Sequence, residues 1–194
     1  MRQPAILLIS IALLGCKEVS FKEPQPKGKK ELTSVPKNIQ GSYLVLTDEG
    51  IPSKDTIVIS ARGYRFGYFD PEERAAKNDE YEEGVLSDSM ILKSYKGYYF
   101  LSLKENPEWI VRVLKEEKNG DLIYMALEDK KIEFNEYLEK LSGEIRIDSM
   151  TTESETLYQI DPDPNQLVDL IKKKFFSETR LIKVRPQQAS RQTR

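Results

Sequence analysis

Residues 109–127 decide the fold class: Trp109-Ile110-Val111-Arg112-Val113-Leu114-Lys115-Glu116-Glu117, then Lys118-Asn119-Gly120-Asp121, then Leu122-Ile123-Tyr124-Met125-Ala126-Leu127. Two runs rich in β-branched and aromatic residues flank an Asn-Gly pair. Asn-Gly supplies the two positive-φ residues of a type I′ turn, the tightest connection between antiparallel strands. A two-residue loop sets Leu114 against Met125, Val113 against Ala126 and Lys115 against Tyr124. One face of the hairpin is then apolar and the other mixed.

The same grammar extends in both directions. Gly41 to Thr47 and Asp55 to Ser60 read as strands, the second carrying Thr56-Ile57-Val58-Ile59. Tyr64, Phe66 and Tyr68 alternate through the next strand. Arg62-Gly63-Tyr64-Arg65-Phe66 matches Lys96-Gly97-Tyr98-Tyr99-Phe100 without a third copy, so two similar hairpins in one sheet are expected rather than a solenoid. Residues 70–84 are acidic and read as a helical turn and an exposed loop. Towards the C-terminus, a helix is expected over Asp129 to Leu141, because Phe134, Tyr137, Leu138 and Leu141 share one face. Glu144 to Asp148 and Glu155 to Ile160 are strand candidates. Asp163-Pro164 opens a second helix, with Asp as N-cap and Pro in the first turn; its stripe is Leu167, Val168, Leu170, Ile171 and Phe175. Thr179 to Val184 returns as a strand. The sum is an α+β, β-dominant chain: an antiparallel meander or a curved, barrel-like sheet with two helices.

The 194 residues suit one domain of about 41–185. Composition excludes several chemistries. There is no histidine and a single cysteine, Cys16, so neither a Ser-His-Asp nor a Cys-His arrangement can form, imidazole metal sites are excluded, and no internal disulfide exists. Asp161-Pro162-Asp163-Pro164-Asn165 imitates the start of a calcium loop, but Gln166 stands where glycine is needed and Lys172 where the bidentate glutamate belongs. The carboxylates Asp79, Glu80, Glu82 and Glu83 read as a solvated loop. No phosphate-binding or dinucleotide fingerprint is present. No catalytic residue, metal site or cofactor is therefore expected.

The N-terminus carries an address. Arg2 precedes a nearly all-apolar stretch, Pro4 to Leu14, too short to span a bilayer and suited to a signal sequence. It closes on Leu13-Leu14-Gly15-Cys16, which resembles the lipobox of bacterial lipoproteins. That resemblance implies lipid transfer to Cys16 and cleavage after Gly15, making 1–15 a signal peptide and Cys16 a stable membrane anchor, since two or more acyl chains hold firmly where one does not. Lys17, rather than Asp, after the cysteine implies the outer membrane by analogy with enteric sorting.

Residues 16–40 contain Pro24, Pro26 and Pro36, six lysines and few large apolar residues. They read as a flexible tether that cannot offset its ordering entropy. Residues 186–194 read as a disordered tail. Residues 38–171 hold 15 basic and 28 acidic side chains, so the acidic body repels nucleic acid. The order of Glu23-Pro24-Gln25-Pro26, Val35-Pro36-Lys37 and Gln40-Gly41-Ser42-Tyr43 behind a Cys-Lys anchor resembles small bacterial lipoproteins of the outer-membrane type, a class that implies location but no activity.

Function is expected to be non-enzymatic: binding or scaffolding in the cell envelope, with an envelope protein as the candidate partner. The alternatives are a lipocalin-like carrier of a small apolar ligand and a carboxylate-based hydrolase. Tyr64, Tyr68, Tyr98, Trp109 and Tyr124 are the candidate ligand-facing aromatics, because rings with polar tips suit a groove on a sheet face. A large enclosed pocket favours the carrier, buried facing carboxylates the hydrolase, and an exposed aromatic patch the scaffold. Cys16→Ser is expected to abolish metabolic lipid labelling and release exported protein to the soluble fraction; unlabelled mutant retained in washed membranes contradicts a single anchor.

Overall fold

The computed structural model describes residues 18–47, 49–68, 82–105, 108–151 and 156–185. Gly15, Cys16, residues 69–81 and the tail 186–194 lie outside these. The chain is α+β and β-dominant, with a large mixed sheet and two helices.

The strands are β1 (Val19–Phe21), β2 (Gly41–Leu46), β3 (Pro52–Ser60), β4 (Gly63–Tyr68), β5 (Glu82–Val85), β6 (Met90–Tyr95), β7 (Tyr98–Glu105), β8 (Glu108–Glu116), β9 (Leu122–Ala126), β10 (Ile147–Thr151), β11 (Thr156–Ile160) and β12 (Ser177–Lys183). The helices are α1 (Phe134–Ser142) and α2 (Pro164–Lys172). The main run, β6-β7-β8-β9-β12-β2-β3-β4-β5, is antiparallel throughout. A side arm, β1-β11-β10, joins β8 beyond the end of β9, where Phe21 lies opposite Trp109. Its β1–β11 ladder is parallel.

The sheet curls. Leu92 on β6 and Ile59 on β3 lie near opposite ends of the main run yet belong to one buried cluster, with Tyr64 of β4 packed on it. The ends approach closely: a Cβ on Gly84 of β5 would fall 2.6 Å from Met90 Sδ on β6. Between the paired strands β4 and β5, a Cβ on Gly63 would fall 1.9 Å from the Gly84 carbonyl oxygen, so only glycine fits at Gly63.

Among the described residues no ladder closes the gap, and the stretch expected to be a tether bridges it. Leu32 N–H donates to Leu92 O on β6, and Val35 N–H donates to Ala61 O at the β3–β4 turn, both within 3 Å. This overturns the tether expectation for residues 18–40. Their few apolar side chains each complete a cluster built by distant strands: Val19 and Phe21 in one, Val35 and Ile39 in the other. Long-range bonds satisfy the polar groups between. Gln25 N–H donates to Ser102 Oγ at 2.9 Å, and the buried Lys93 donates from Nζ to Pro24 O at 2.9 Å. A composition-based entropy argument misses contacts that a segment borrows from elsewhere.

The helices cover the convex face of the sheet around β8. α2 starts as its sequence requires: Asp163 Oδ1 accepts from the N–H groups of Asn165 and Gln166, and Gln166 Oε1 accepts from Asp163 N–H at 2.9 Å. This reciprocal cap satisfies otherwise orphaned donors. α1 begins at Phe134, later than the expected Asp129, because Asp129 Oδ1 instead accepts from Lys131 N–H in a turn. Glu82 to Gly84, expected in the acidic loop, lie on β5.

The turn after β8 differs from expectation by one residue, with consequences for both faces. Gly120 has φ +84°, but Asn119 is not at positive φ; Gly120 N–H donates to Glu117 O and Glu117 N–H to Asp121 O, each at 2.9 Å. This is a three-residue loop ending in a left-handed glycine, not a type I′ turn. Leu114 accordingly pairs with Tyr124 and Val113 with Met125. The two-residue turn with both φ positive occurs at Lys96-Gly97, where Tyr95 pairs with Tyr98.

Phe21 is fully buried. Phe21→Ala is expected to destabilise the protein by about 3–5 kcal/mol in denaturant unfolding, as for other buried aromatic truncations; a loss below about 0.5 kcal/mol, the scale of a surface change, contradicts the docking of β1.

Candidate functional site

Strand alternation gives β8 two faces. Trp109, Val111 and Val113 point to the helix side, where they pack with Phe100, Met125, Leu141, Leu167 and Phe176. Ile110, Arg112 and Leu114 point to the concave side. There they line a cavity of about 510 Å³. β7 contributes Leu101 and Leu103, β3 contributes Ile57 and Ile59, β4 contributes Tyr64 and Phe66, and β12 contributes Thr179 and Leu181. Val35 and Ile39 add part of the wall from the N-terminal segment. Polar side chains on the lining are few: Glu105, Arg112, Tyr124, Thr179 and the hydroxyl of Tyr64.

Arg112 is the sole basic residue on that lining. It is largely withdrawn from water and held by Glu18, the residue just before β1. Nη1 donates to Glu18 Oε1, and Nη2 donates to Oε2 at 3.1 Å, a two-pronged pair. The Tyr124 phenol lies near the guanidinium and interacts with it electrostatically. Burial works against the Arg112 charge, but the bonds to Glu18 more than offset it and hold the group above its ordinary range. Burial raises the Tyr124 phenol, and the neighbouring guanidinium offsets this only in part. The arrangement presents an apolar chamber with one fixed, desolvated cation in its wall.

The structure separates the five candidate aromatics. Tyr64 and Tyr124 line the cavity. Trp109 and Tyr98 are on the other face: Trp109 is 9% exposed within the helix-side core, and Tyr98 packs on that core beside Phe100. Their position on the strand decides this, since Trp109 alternates with the cavity residues Ile110 and Arg112. Tyr68 is on β4, and its side chain lies outside the description.

Arg112, Glu18 and the aliphatic walls escaped the sequence reading. One signal was present: Arg112 is the single charge within Trp109–Leu114, alternating with Ile110 and Leu114. The three lysines at the end of α2 are in ion pairs, Lys172 with Asp169, Lys173 with Glu144 and Lys174 with Glu178. Asp121 is structural: it accepts from Arg180 Nη2 and from Lys183 N–H, both at 3.1 Å, pinning the β8–β9 loop to β12. Among the described residues, no group of three or more carboxylates or cysteines could hold a metal ion, and no helix is long and apolar enough to cross a membrane.

Fold and site together define a β-dominant α+β protein with a curved sheet around an apolar cavity. No protein-family model, curated protein or solved structure matches the chain.

The tyrosines give the fold a pH signature. Tyr43 is fully buried, its hydroxyl donating to Ile39 O at 3.0 Å, and burial pushes its pKa up to about 12. The unfolded phenol titrates near 10. Between these values the native state binds more protons than the unfolded state, so stability falls as pH rises. Stability is expected to be complete below about pH 10 and to decline above it. Tyr43→Phe is expected to flatten that decline while costing about 1 kcal/mol at neutral pH through the lost hydrogen bond. Denaturant midpoints across the alkaline range measure both; an unchanged slope in the variant contradicts the assignment.

Proposed function

We propose that the protein is a lipid-anchored, non-catalytic carrier or receptor of the bacterial cell envelope that holds a small amphiphilic ligand in its concave cavity. The observation that carries this reading is the cavity. Its volume of about 510 Å³ falls within the usual range for small-molecule sites, about 300–1,000 Å³. Its walls are aliphatic and aromatic, with few polar groups, Arg112 and Tyr124 among them. Each methylene moved from water onto such a wall contributes about 0.8 kcal/mol. The envelope location rests on Leu13-Leu14-Gly15-Cys16.

The other readings draw less support. The exposed large apolar residues Ile51, Val58, Val85 and Met150 are distributed over the β2–β3 connection, β3, β5 and β10. Isolated exposed apolar residues are ordinary and do not define a protein-binding patch. A carboxylate hydrolase calls for acids with raised pKa values. Glu49 and Asp148 are instead held below the ordinary range, Glu49 by its bond with Thr47 and Asp148 by its bond with Lys22.

Titration with N-phenyl-1-naphthylamine, a neutral apolar fluorophore, tests the reading. Saturable enhancement at one site per chain is expected. Leu101→Trp projects an indole into the chamber and is expected to weaken binding at least about tenfold without lowering the unfolding midpoint, since the added ring enters a void. Unsaturable enhancement, or binding unchanged in Leu101→Trp, contradicts it.

A further inference from the structure

Arg112 gives the cavity a chemical preference. A guanidinium set among Ile110, Leu114, Leu101 and Leu103 needs an anion, because a desolvated charge without a partner is costly. In this structure the anion is Glu18, whose carboxylate spends both oxygens on Arg112. The two partners differ in how they are held. Arg112 projects from the middle of β8, between the ladders to β7 and β9, and cannot leave the wall. Glu18 precedes β1 and is not part of a ladder; the two side chains are similarly exposed, 22% for Arg112 and 28% for Glu18. Glu18 is not itself on the cavity lining, whereas Arg112 is. Turning Glu18 to water would free the forked donors of Arg112 for another carboxylate.

Resting on the reading of the cavity as a ligand site, we infer that its ligand is a single-chain monocarboxylate amphiphile, such as a long-chain fatty acid. The carboxylate pairs with Arg112 in place of Glu18, and the alkyl chain lies along Leu101, Leu103, Ile57 and Phe66. Glu18 is the internal competitor: it keeps the empty chamber free of an unpaired cation and sets a threshold that weak or neutral ligands do not exploit. Arg112 selects for the carboxylate because planar, forked recognition suits that group.

Competition of dodecanoate and of dodecanol against the bound fluorophore, in the parent and two variants, tests this. Glu18→Gln removes the competing charge and is expected to tighten dodecanoate about tenfold, leaving dodecanol unchanged. The double variant Arg112→Gln with Glu18→Gln retains a neutral hydrogen-bonding pair, so its fold is expected to persist. It is expected to bind dodecanoate at least about tenfold more weakly than Glu18→Gln does, and to lose the preference for dodecanoate over dodecanol. Circular dichroism melts of each variant establish that the binding changes are not unfolding. If dodecanoate and dodecanol compete equally in all three proteins, the carboxylate inference is overturned while the cavity reading stands. If Glu18→Gln lowers stability and leaves dodecanoate affinity unchanged, the pair is structural and the inference is likewise overturned. If neither compound competes and the fluorophore itself does not bind, the cavity reading fails and the inference with it.

Discussion

The structure is organised by the two-residue period of one strand. β8 pairs with β7 along one edge and with β9 and then β1 along the other. It is the branch point of the sheet, and both of its faces are in use. Trp109, Val111 and Val113 anchor the helix-side core, while Ile110, Arg112 and Leu114 face the cavity. A slip of one residue in its pairing would bring Arg112 to the helix side and a core residue to the chamber. The register is held by the three-residue loop that Asp121 ties to Arg180 and Lys183.

The N-terminal segment completes what β8 begins. It supplies β1, whose Val19 and Phe21 seal the helix-side core, and the stretch of 31–35 that spans the gap between β6 and the β3–β4 turn. It also supplies Glu18, the counter-ion of the cavity. Cys16 precedes Glu18 by two residues, a reach of at most about 7 Å of extended chain. If Cys16 carries lipid, the anchor is therefore attached close to the ion pair, with no long stalk between membrane and domain.

Much of the fold was legible in the sequence because its signals were local. Asp163-Pro164 specified a helix start, and the alternation of Tyr64 and Phe66 specified a strand. The match of Arg62-Gly63 to Lys96-Gly97 marked two hairpins, although the first turns at Ala61-Arg62, with Gly63 paired to Ser60, and the second at Lys96-Gly97. Two features were not legible, for one reason: each depends on partners far along the chain. Asn119-Gly120 suits loops of two or three residues, and the bonds of Asp121 to β12 accompany the longer one. Residues 18–40 have too few apolar groups to fold alone, but they dock on distant strands, as Ser20 does on Tyr158, 138 positions along the chain. Of the candidate site, Tyr64 and Tyr124 were found by residue type. Trp109 and Tyr98 were misplaced because residue type does not say which face of a strand is covered by helices. Arg112 was overlooked because a charge in a strand ordinarily faces water.

The most direct test of the account is native mass spectrometry of the full chain purified gently from the cells that produce it. The account predicts a non-covalent addition at one per chain, with the mass of a single-chain carboxylate amphiphile, diminished in Leu101→Trp prepared in the same way. Parent protein that consistently flies without any addition, or an addition undiminished in Leu101→Trp, would contradict the claim that the concave face of β8 is a ligand site.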